Sequence, residues 1–255
     1  MTDETKILLY DIETAPSIGA YFQLYKEGNI IWTEKHWYIL SFAYKWLNKK
    51  GVNVLALPDF DTYKKEPEND KLLVKELWKL FNESDVIIAH HGVAFDTKKS
   101  NARFIYHGLP PPEPYKEVDT RRIAKQYFKF DSNKLDDLGD YLNLGRKLRT
   151  GGLELWRDCL KGNLKAWNTM KKYNKGDVVL LEKIYLKLRP YIKNHPNRAL
   201  IEGKKIACPN CGSLRVNKRG FLYTRVSVRQ QYQCRDCRSW HSSPIPKFNK
   251  IPQVR

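Results

Sequence analysis

The first apolar block of the chain, Ile7, Leu8, Leu9, Tyr10 and Ile12 within Lys6–Glu13, is almost continuous and stops at Thr14-Ala15-Pro16. Such a run predicts a buried strand. Trp37–Trp46 and Val52–Leu57 read as two more strands, joined by a hairpin turn at Asn48-Lys49-Lys50-Gly51. From Asn69 the period changes. Leu72, Leu73, Leu77, Leu80 and Phe81 recur at helical spacing, and the segment passes through Ser84-Asp85 into a short apolar strand, Val86–Ala89. A helix crossing between strands favours parallel pairing. Phe95–Tyr106 reads as a helix ended by Gly108 and Pro110-Pro111-Pro112, which cannot continue it. A short strand near Val118 follows, then helical segments around 120–128, 134–142 and 153–160. The last long helix is expected from Leu164 to Ile192, strained near Gly176, with Asn194-His195-Pro196-Asn197 as a linker. Strands followed by helix, strand and several helices argue for an α/β sheet with helices on its faces. No internal repeat or low-complexity segment is evident.

A length of 255 residues suits one full domain and a small appendage, here residues 1–195 and 200–255. With 42% hydrophobic residues there is ample material for a packed core. No apolar run approaches the roughly 18 residues that span a bilayer, and the start Met1-Thr2-Asp3-Glu4-Thr5-Lys6 lacks a signal-peptide pattern. The expectation is a cytoplasmic protein with no membrane partner. Its net charge of +18 is uneven, since residues 200–255 carry twelve basic residues against only Glu202 and Asp236. A polyanion is the natural partner of that tail. In the remainder, surface solvation explains the lysine excess equally well, as it does for the clusters Arg121-Arg122-Lys125-Lys129 and Arg146-Lys147-Arg149, which would otherwise flank a substrate path.

Asp11 and Glu13 alternate at the end of the first strand, so both carboxylates share one face. Alone, such a pair is commonly just solvated. Asp96 follows the strand Val86–Ala89 and the turn His90-His91-Gly92, where it would serve equally as a helix N-cap. Asp177 lies one helical turn after Tyr173, which by itself reads as a core residue beside a surface charge. Taken together, four carboxylates match what hard divalent cations require.

These segments resemble the DnaQ-like 3′-to-5′ exonucleases of the ribonuclease H-like fold, in the branch with four acidic residues and a tyrosine. The motifs are Leu9-Tyr10-Asp11-Ile12-Glu13-Thr14, Ala89-His90-His91-Gly92-Val93-Ala94-Phe95-Asp96 and Tyr173-Asn174-Lys175-Gly176-Asp177, in the family's order. The likeness spans about residues 5–193, includes Val118-Asp119-Thr120 as a structural element, and is greatest to phage-encoded members. It implies a ribonuclease H-like mixed sheet flanked by helices. It also implies two Mg²⁺ or Mn²⁺ ions about 3.5–4 Å apart. Asp11 would bridge them, Glu13 and Asp177 would hold the ion carrying the nucleophilic water, and Asp96 would help hold the other. Tyr173 would orient that water, because a phenol of pKa about 10 is a poor base. Thr14, His91 and Phe95 would adjoin the terminal nucleotide, Thr14 through its backbone N–H. His91 stands where the family usually has Asn, and replacing an amide hydrogen bond at the strand end is its favoured role.

Four of the five cysteines fall in Cys208-Pro209-Asn210-Cys211 and Cys234-Arg235-Asp236-Cys237, close to zinc-ribbon spacing. The absent signal peptide argues for one structural Zn²⁺ over two disulfides. Between the pairs a hairpin is expected, Leu214–Lys218 turning at Arg219-Gly220 into Phe221–Gln233. His241 is unnecessary as a ligand, and Cys159 reads as a buried helix residue. Arg215, Lys218, Arg219, Arg225, Arg229, Arg235 and Arg238 would meet phosphates, and Tyr223, Tyr232 and Trp240 would stack on bases. The alternative is a protein-docking ribbon that reaches a replication or repair partner. The expected activity is metal-dependent 3′-to-5′ hydrolysis of DNA to nucleoside 5′-monophosphates. RNA or structured nucleic acid is the alternative substrate, and a non-catalytic nucleic-acid-binding or recruitment protein the alternative class.

Overall fold

The computed structural model describes residues 4–22, 30–204, 207–243 and 248–249, so the first three residues, read above for a leader, lie outside it. The chain divides into two compact units: residues 6–122 with 130–184, and the chain start with 123–129 and residues 185 onward.

The larger unit is built on β1 (Ile7–Thr14), whose apolar residues are buried on both faces, as a central strand requires. After β1 come β2 (Ile18–Ala20) and β3 (Trp32–Lys35), then β4 (Ile39–Trp46) and β5 (Asn53–Ala56). Next are α1 (Lys71–Asn82), β6 (Val86–Ala89), α2 (Asp96–Tyr106), β7 (Lys116–Asp119), α3 (Thr120–Tyr127), α4 (Leu135–Tyr141), α5 (Leu153–Leu160) and α6 (Leu164–Leu188). Five strands form one mixed sheet in the order β5-β4-β1-β6-β7, with β1 antiparallel to β4 and parallel to β6. Asp11 pairs with Ala43 and Glu13 with Ser41, and the ladder shifts register between Glu13 and Thr14.

Helix α1 buries Leu73, Val74, Leu77 and Phe81, while Leu72 of the expected stripe is 40% exposed. Phe81 meets Tyr10, Phe104 and Tyr115 edge to face, an arrangement that suits the ring quadrupoles. Just before α1, buried Asp70 accepts hydrogen bonds from the Ile39 N–H and from Arg103, and it meets His107 Nε2 at 2.6 Å. One carboxylate thereby ties the start of β4 to the end of α2.

Several details depart from the sequence expectation. The strand expected from Trp37 begins at Ile39. The ribbon β2–β3 was not expected, because its strands are short and β3 is exposed throughout, leaving no alternation to read. Helix α6 runs unbroken through Gly176, where an added Cβ would meet nothing within 4 Å. It ends at Leu188, and Arg189–Tyr191 form a 3₁₀ turn, since Pro190 has no N–H to continue the helix.

In the smaller unit, α7 (Arg198–Ile201) precedes β8 (Val216–Tyr223), β9 (Ser227–Cys234), β10 (Trp240–Ser242) and β11 (Phe248–Asn249). β9 pairs antiparallel with each of the other three. The hairpin turn falls at residues 224–226, where Thr224 Oγ1 accepts from the Ser227 N–H at 2.8 Å, and not at Arg219-Gly220 as expected. Those two residues form a bulge in β8: Lys218 faces Tyr232 and Phe221 faces Gln230, leaving two residues opposite one. Gly220 has φ of 64°, open to glycine without strain. Below the ribbon, buried Glu202 takes hydrogen bonds from Lys204, Thr5 and Arg198, which hold its carboxyl down at about 2 against the opposing effect of burial.

Candidate active site and metal centres

The alternation that puts Asp11 and Glu13 on one face of β1 also delivers them to Asp177 of α6. One carboxylate oxygen from each of the three lies within 4.8 Å of the others. Asp96, the first residue of α2, is outside that trio, and its Oδ1 accepts the Ile12 N–H at 3.3 Å, between the two β1 acids. Burial raises all four, joined for Asp11 and Glu13 by the charges of the other site acids and for Asp96 by those of Asp119 and Glu117. Asp11 goes well above the carboxylate range through burial and then the charges of Asp96, Asp177 and Glu13. Burial pushes Glu13 up to about 8 and Asp96 up to about 7, and raises Asp177 against the pull of Lys147. A metal-free cluster of this kind binds protons in place of cations.

Two residues assigned no role in the site from sequence organise it. Asn174, fully buried on α6, donates its side-chain N–H to Asp11 Oδ2 at 2.7 Å and to the Asp11 carbonyl at 3.2 Å, while its own oxygen accepts from Ser41 Oγ at 3.1 Å. Asp11 is thus oriented from a strand and a helix far apart in sequence. Lys147 sits with its ammonium 2.7 Å from Asp177 Oδ2 and 4.8 Å from the centre of the Tyr173 ring. This lysine belonged to a cluster equally readable as a solvated face, and the structure puts it among the acids instead. Burial raises the Tyr173 phenol, so even less of it is present as the phenolate that could accept a proton. The Tyr173 ring packs edge to face on Trp156.

The turn between β6 and α2 explains the unusual second motif. His91 has φ of 74°, in the left-handed region where Asn, Asp and His are enriched among side-chain-bearing residues. Its N–H donates to Asp119 Oδ1 at 3.0 Å, which also accepts from the Arg121 and Arg122 N–H groups. The backbone conformation of this position suits His as well as Asn. The neighbouring His90 spans Thr120 Oγ1 and the Asn133 carbonyl, and burial lowers it to about 4, so the ring is neutral. Gly92 is required by close approach, since an added Cβ would lie 2.6 Å from that of Ala89. Phe95 is 41% exposed, and Thr14 Oγ1 accepts from Lys99 Nζ at 3.2 Å.

In the smaller unit Cys208, Cys211, Cys234 and Cys237 bring their sulfurs within 4.8 Å of one another. Cys208 and Cys237 sulfurs are 3.5 Å apart and those of Cys211 and Cys234 3.6 Å, near the ~3.8 Å edge of a tetrahedron with Zn–S of about 2.3 Å. The two knuckles are built alike. Each first cysteine donates its N–H to the carbonyl five residues on, at Ser213 and Ser239, and accepts from the N–H four residues on, at Gly212 and Arg238. Gly212 and Arg238 both have positive φ, 75° and 66°. A six-residue pattern, Cys208–Ser213 and Cys234–Ser239, is therefore repeated, a short repeat that the sequence reading passed over. His241 stacks on Tyr232 with ring centres 5.4 Å apart, covering one face of a ring expected to stack on bases. Arg215 pairs with Asp236 and Arg235 donates to Asn217, whereas Lys218, Arg219, Arg225 and Arg238 are exposed. Cys159 is buried in α5 with its thiol pushed up to about 12 by burial, which makes it inert.

Both sets fit the metals expected of them. The acids offer only oxygen, and Asp177 Oδ1 is buried without a hydrogen-bond partner, a donor awaiting a hard cation. The thiolates have the softness and spacing of a closed structural zinc site. Among the described residues no helix is long and apolar enough to cross a membrane.

No curated protein matches this sequence. Among solved structures, the family B DNA polymerase of the hyperthermophilic archaeon Pyrobaculum calidifontis superposes with a TM-score of 0.49 at 15% identity, over 90% of this chain and 33% of the polymerase. The chain thus spans about a third of that protein's length. The sequence profile described as RNase_H superfamily matches residues 34–189, well over half of the chain. With its five-stranded mixed sheet flanked by helices and its cysteine-clustered ribbon, the chain belongs to the RNase H superfamily.

Proposed function

We propose that this protein is a divalent-metal-dependent 3′-to-5′ exonuclease of the DnaQ-like branch, acting on DNA and releasing nucleoside 5′-monophosphates. The observation that carries the reading is the meeting of Asp11, Glu13 and Asp177, with Asp96 anchored on Ile12 beside them. Asp11, Glu13, Asp96 and Asp177 would hold two Mg²⁺ or Mn²⁺ ions. When bound, such a pair activates water and offsets charge on phosphate oxygens. The chain's own residues do the rest. Asn174 fixes the rotamer of Asp11, so an acid that would help hold the ions cannot swing away. Tyr173 orients the attacking water from α6, its raised pKa keeping the phenol protonated. Lys147 balances the charge of Asp177 and would meet the phosphate. Thr14 and Phe95, beside Glu13 and Asp96, contact the terminal nucleotide.

Residues 200–255 would form a zinc-stapled module in which Lys218, Arg219, Arg225 and Arg238 meet phosphates and exposed Tyr223 and Trp240 stack on bases. A labelled-oligonucleotide assay with Mg²⁺ tests the whole reading across single-stranded DNA, duplex DNA and RNA. A 5′-labelled strand should shorten one nucleotide at a time and release 5′-monophosphates. Internal cuts, or cleavage of RNA alone, would overturn the exonuclease and DNA assignments respectively.

A further inference from the structure

Thr14 adjoins Glu13 and Phe95 adjoins Asp96, and both share a neighbour from outside the acidic motifs. The ammonium of Lys99 on α2 lies 3.2 Å from Thr14 Oγ1, 4.0 Å from the centre of the Trp37 ring and 4.9 Å from that of Phe95. Lys99 is half-buried, and burial pulls its pKa down against the influence of Asp96. It forms no salt bridge among the described residues. A cation held in this way keeps part of its desolvation cost until an anion arrives.

Trp37 lines a cavity of about 670 Å³, bounded also by Tyr106, Arg103 and Lys71. That volume falls within the ~300–1,000 Å³ typical of sites for one small organic unit. Arg103 is not its anion ligand, because Asp70 already neutralises it; its guanidinium lies 4.1 Å from the Tyr106 ring centre and stiffens the wall. Of the acids at the rim, Glu66 and Glu68, the second is paired with Lys35 at 2.7 Å. The result is an unpaired cation beside the carboxylate centre and an aromatic wall beyond it.

We infer that Lys99, Trp37 and this cavity form a nucleotide subsite, Lys99 taking a phosphate and the aromatic wall a base. It holds the strand on the 5′ side of the reacting end. The choice of a strand over a free mononucleotide rests on the nuclease reading; the nucleoside-phosphate chemistry does not.

The test is fluorescence anisotropy in Ca²⁺, with a ten-nucleotide single-stranded DNA, a dinucleotide and deoxyadenosine monophosphate as probes. Trp37→Ala and Lys99→Gln should each weaken the ten-nucleotide complex about tenfold, and the dinucleotide complex distinctly less. Lys99→Gln should flatten the salt dependence by about 0.7 in log–log slope, the loss of one phosphate contact on a single strand. Trp37→Phe should restore most of the affinity. Circular dichroism checks folding, and if Trp37→Ala fails to fold, Lys99→Gln and Trp37→Phe still decide the matter. Unchanged binding in Lys99→Gln overturns the subsite. Equal losses for mononucleotide and ten-nucleotide probes overturn the strand assignment. Because binding is read without turnover, a protein that binds through Lys99 and Trp37 but never cleaves would sink the nuclease reading alone, and a cleaving enzyme with unaltered variants would sink the subsite alone.

Discussion

The carboxylate centre and the cysteine centre solve the same electrostatic problem with opposite architectures. Each gathers four groups that repel one another once deprotonated. The cysteines come from two knuckles of nearly identical backbone, in which local N–H···O=C bonds already aim both sulfurs. The acids come from β1, the start of α2 and, more than 160 residues after β1, from α6, and are aimed by their surroundings: Asp96 by the Ile12 N–H, Asp11 by Asn174. Local geometry suits a metal that stays, since the ligands cost little to preorganise and the ion contributes folding energy. Long-range geometry suits ions that share oxygen ligands with water and phosphate. Lys147 fits that difference, because an ammonium can pair with an oxygen-lined site and be displaced, whereas a soft metal suits the closed set of four sulfurs.

Replacing Cys208 with Ser breaks the contrast most severely. Structural zinc contributes on the order of 10 kcal/mol, so residues 207–243 should lose their bound zinc and become protease-sensitive. Zinc retained at one per chain, measured by a colorimetric chelator, would show that the sulfurs are not the ligands.

Asp11→Asn is next in size. Cleavage should fall by about 10³-fold or more, the scale of losing a charge-organising group, while metal-free stability at pH 8 should rise. The sign follows from the raised carboxyls. Glu13 near 8 and Asp96 near 7 hold protons in the folded state that the unfolded chain releases, so their contribution is present at low pH and is lost as pH rises through 7 to 8. His90 acts oppositely: lowered to about 4, it withdraws stability as pH falls below about 6.5. Calorimetry of wild type with zinc bound and Mg²⁺ and Mn²⁺ removed should therefore show Tm declining as pH rises from the ordinary carboxylate range toward about 8, most plainly above about 6.5 where His90 no longer opposes it, and Asp11→Asn should shallow that decline. An Asp11→Asn profile as steep as wild type would mean that the acids do not repel as described.

The smallest effect sharpens the comparison. Asn174→Ala leaves every carboxylate in place but frees Asp11, and cleavage at saturating substrate should drop about 10- to 100-fold, with a higher Mn²⁺ concentration needed for half-maximal rate. Asn174→Gln, whose amide sits one methylene away, should not rescue it. Unaltered metal dependence would reduce Asn174 to a packing residue.

Sequence spacing made the zinc ribbon legible, because two-residue gaps between cysteines encode a knuckle locally. It also marked Asp11 and Glu13, since strand alternation fixes their common face. Asn174 was unreadable in that way: a buried amide on a helix declares nothing until β1 lies beside it. The bulge at Gly220 was misread as a turn because a positive-φ glycine serves either purpose, and only pairing with β9 distinguishes them.

By itself, then, the chain determined the five strands of its main sheet, its long helices and the chemistry of both ligand sets, all consequences of period and residue type. Tertiary structure alone decided which charges meet. Asp177 and Lys147 are drawn together, and Asp11 is gripped by Asn174, through contacts whose partners lie 30 and 163 residues apart. The physical reason is that carboxylates, ammonium groups and amides act on neighbours in space through Coulomb forces and hydrogen bonds, and no local rule of sequence says who those neighbours are.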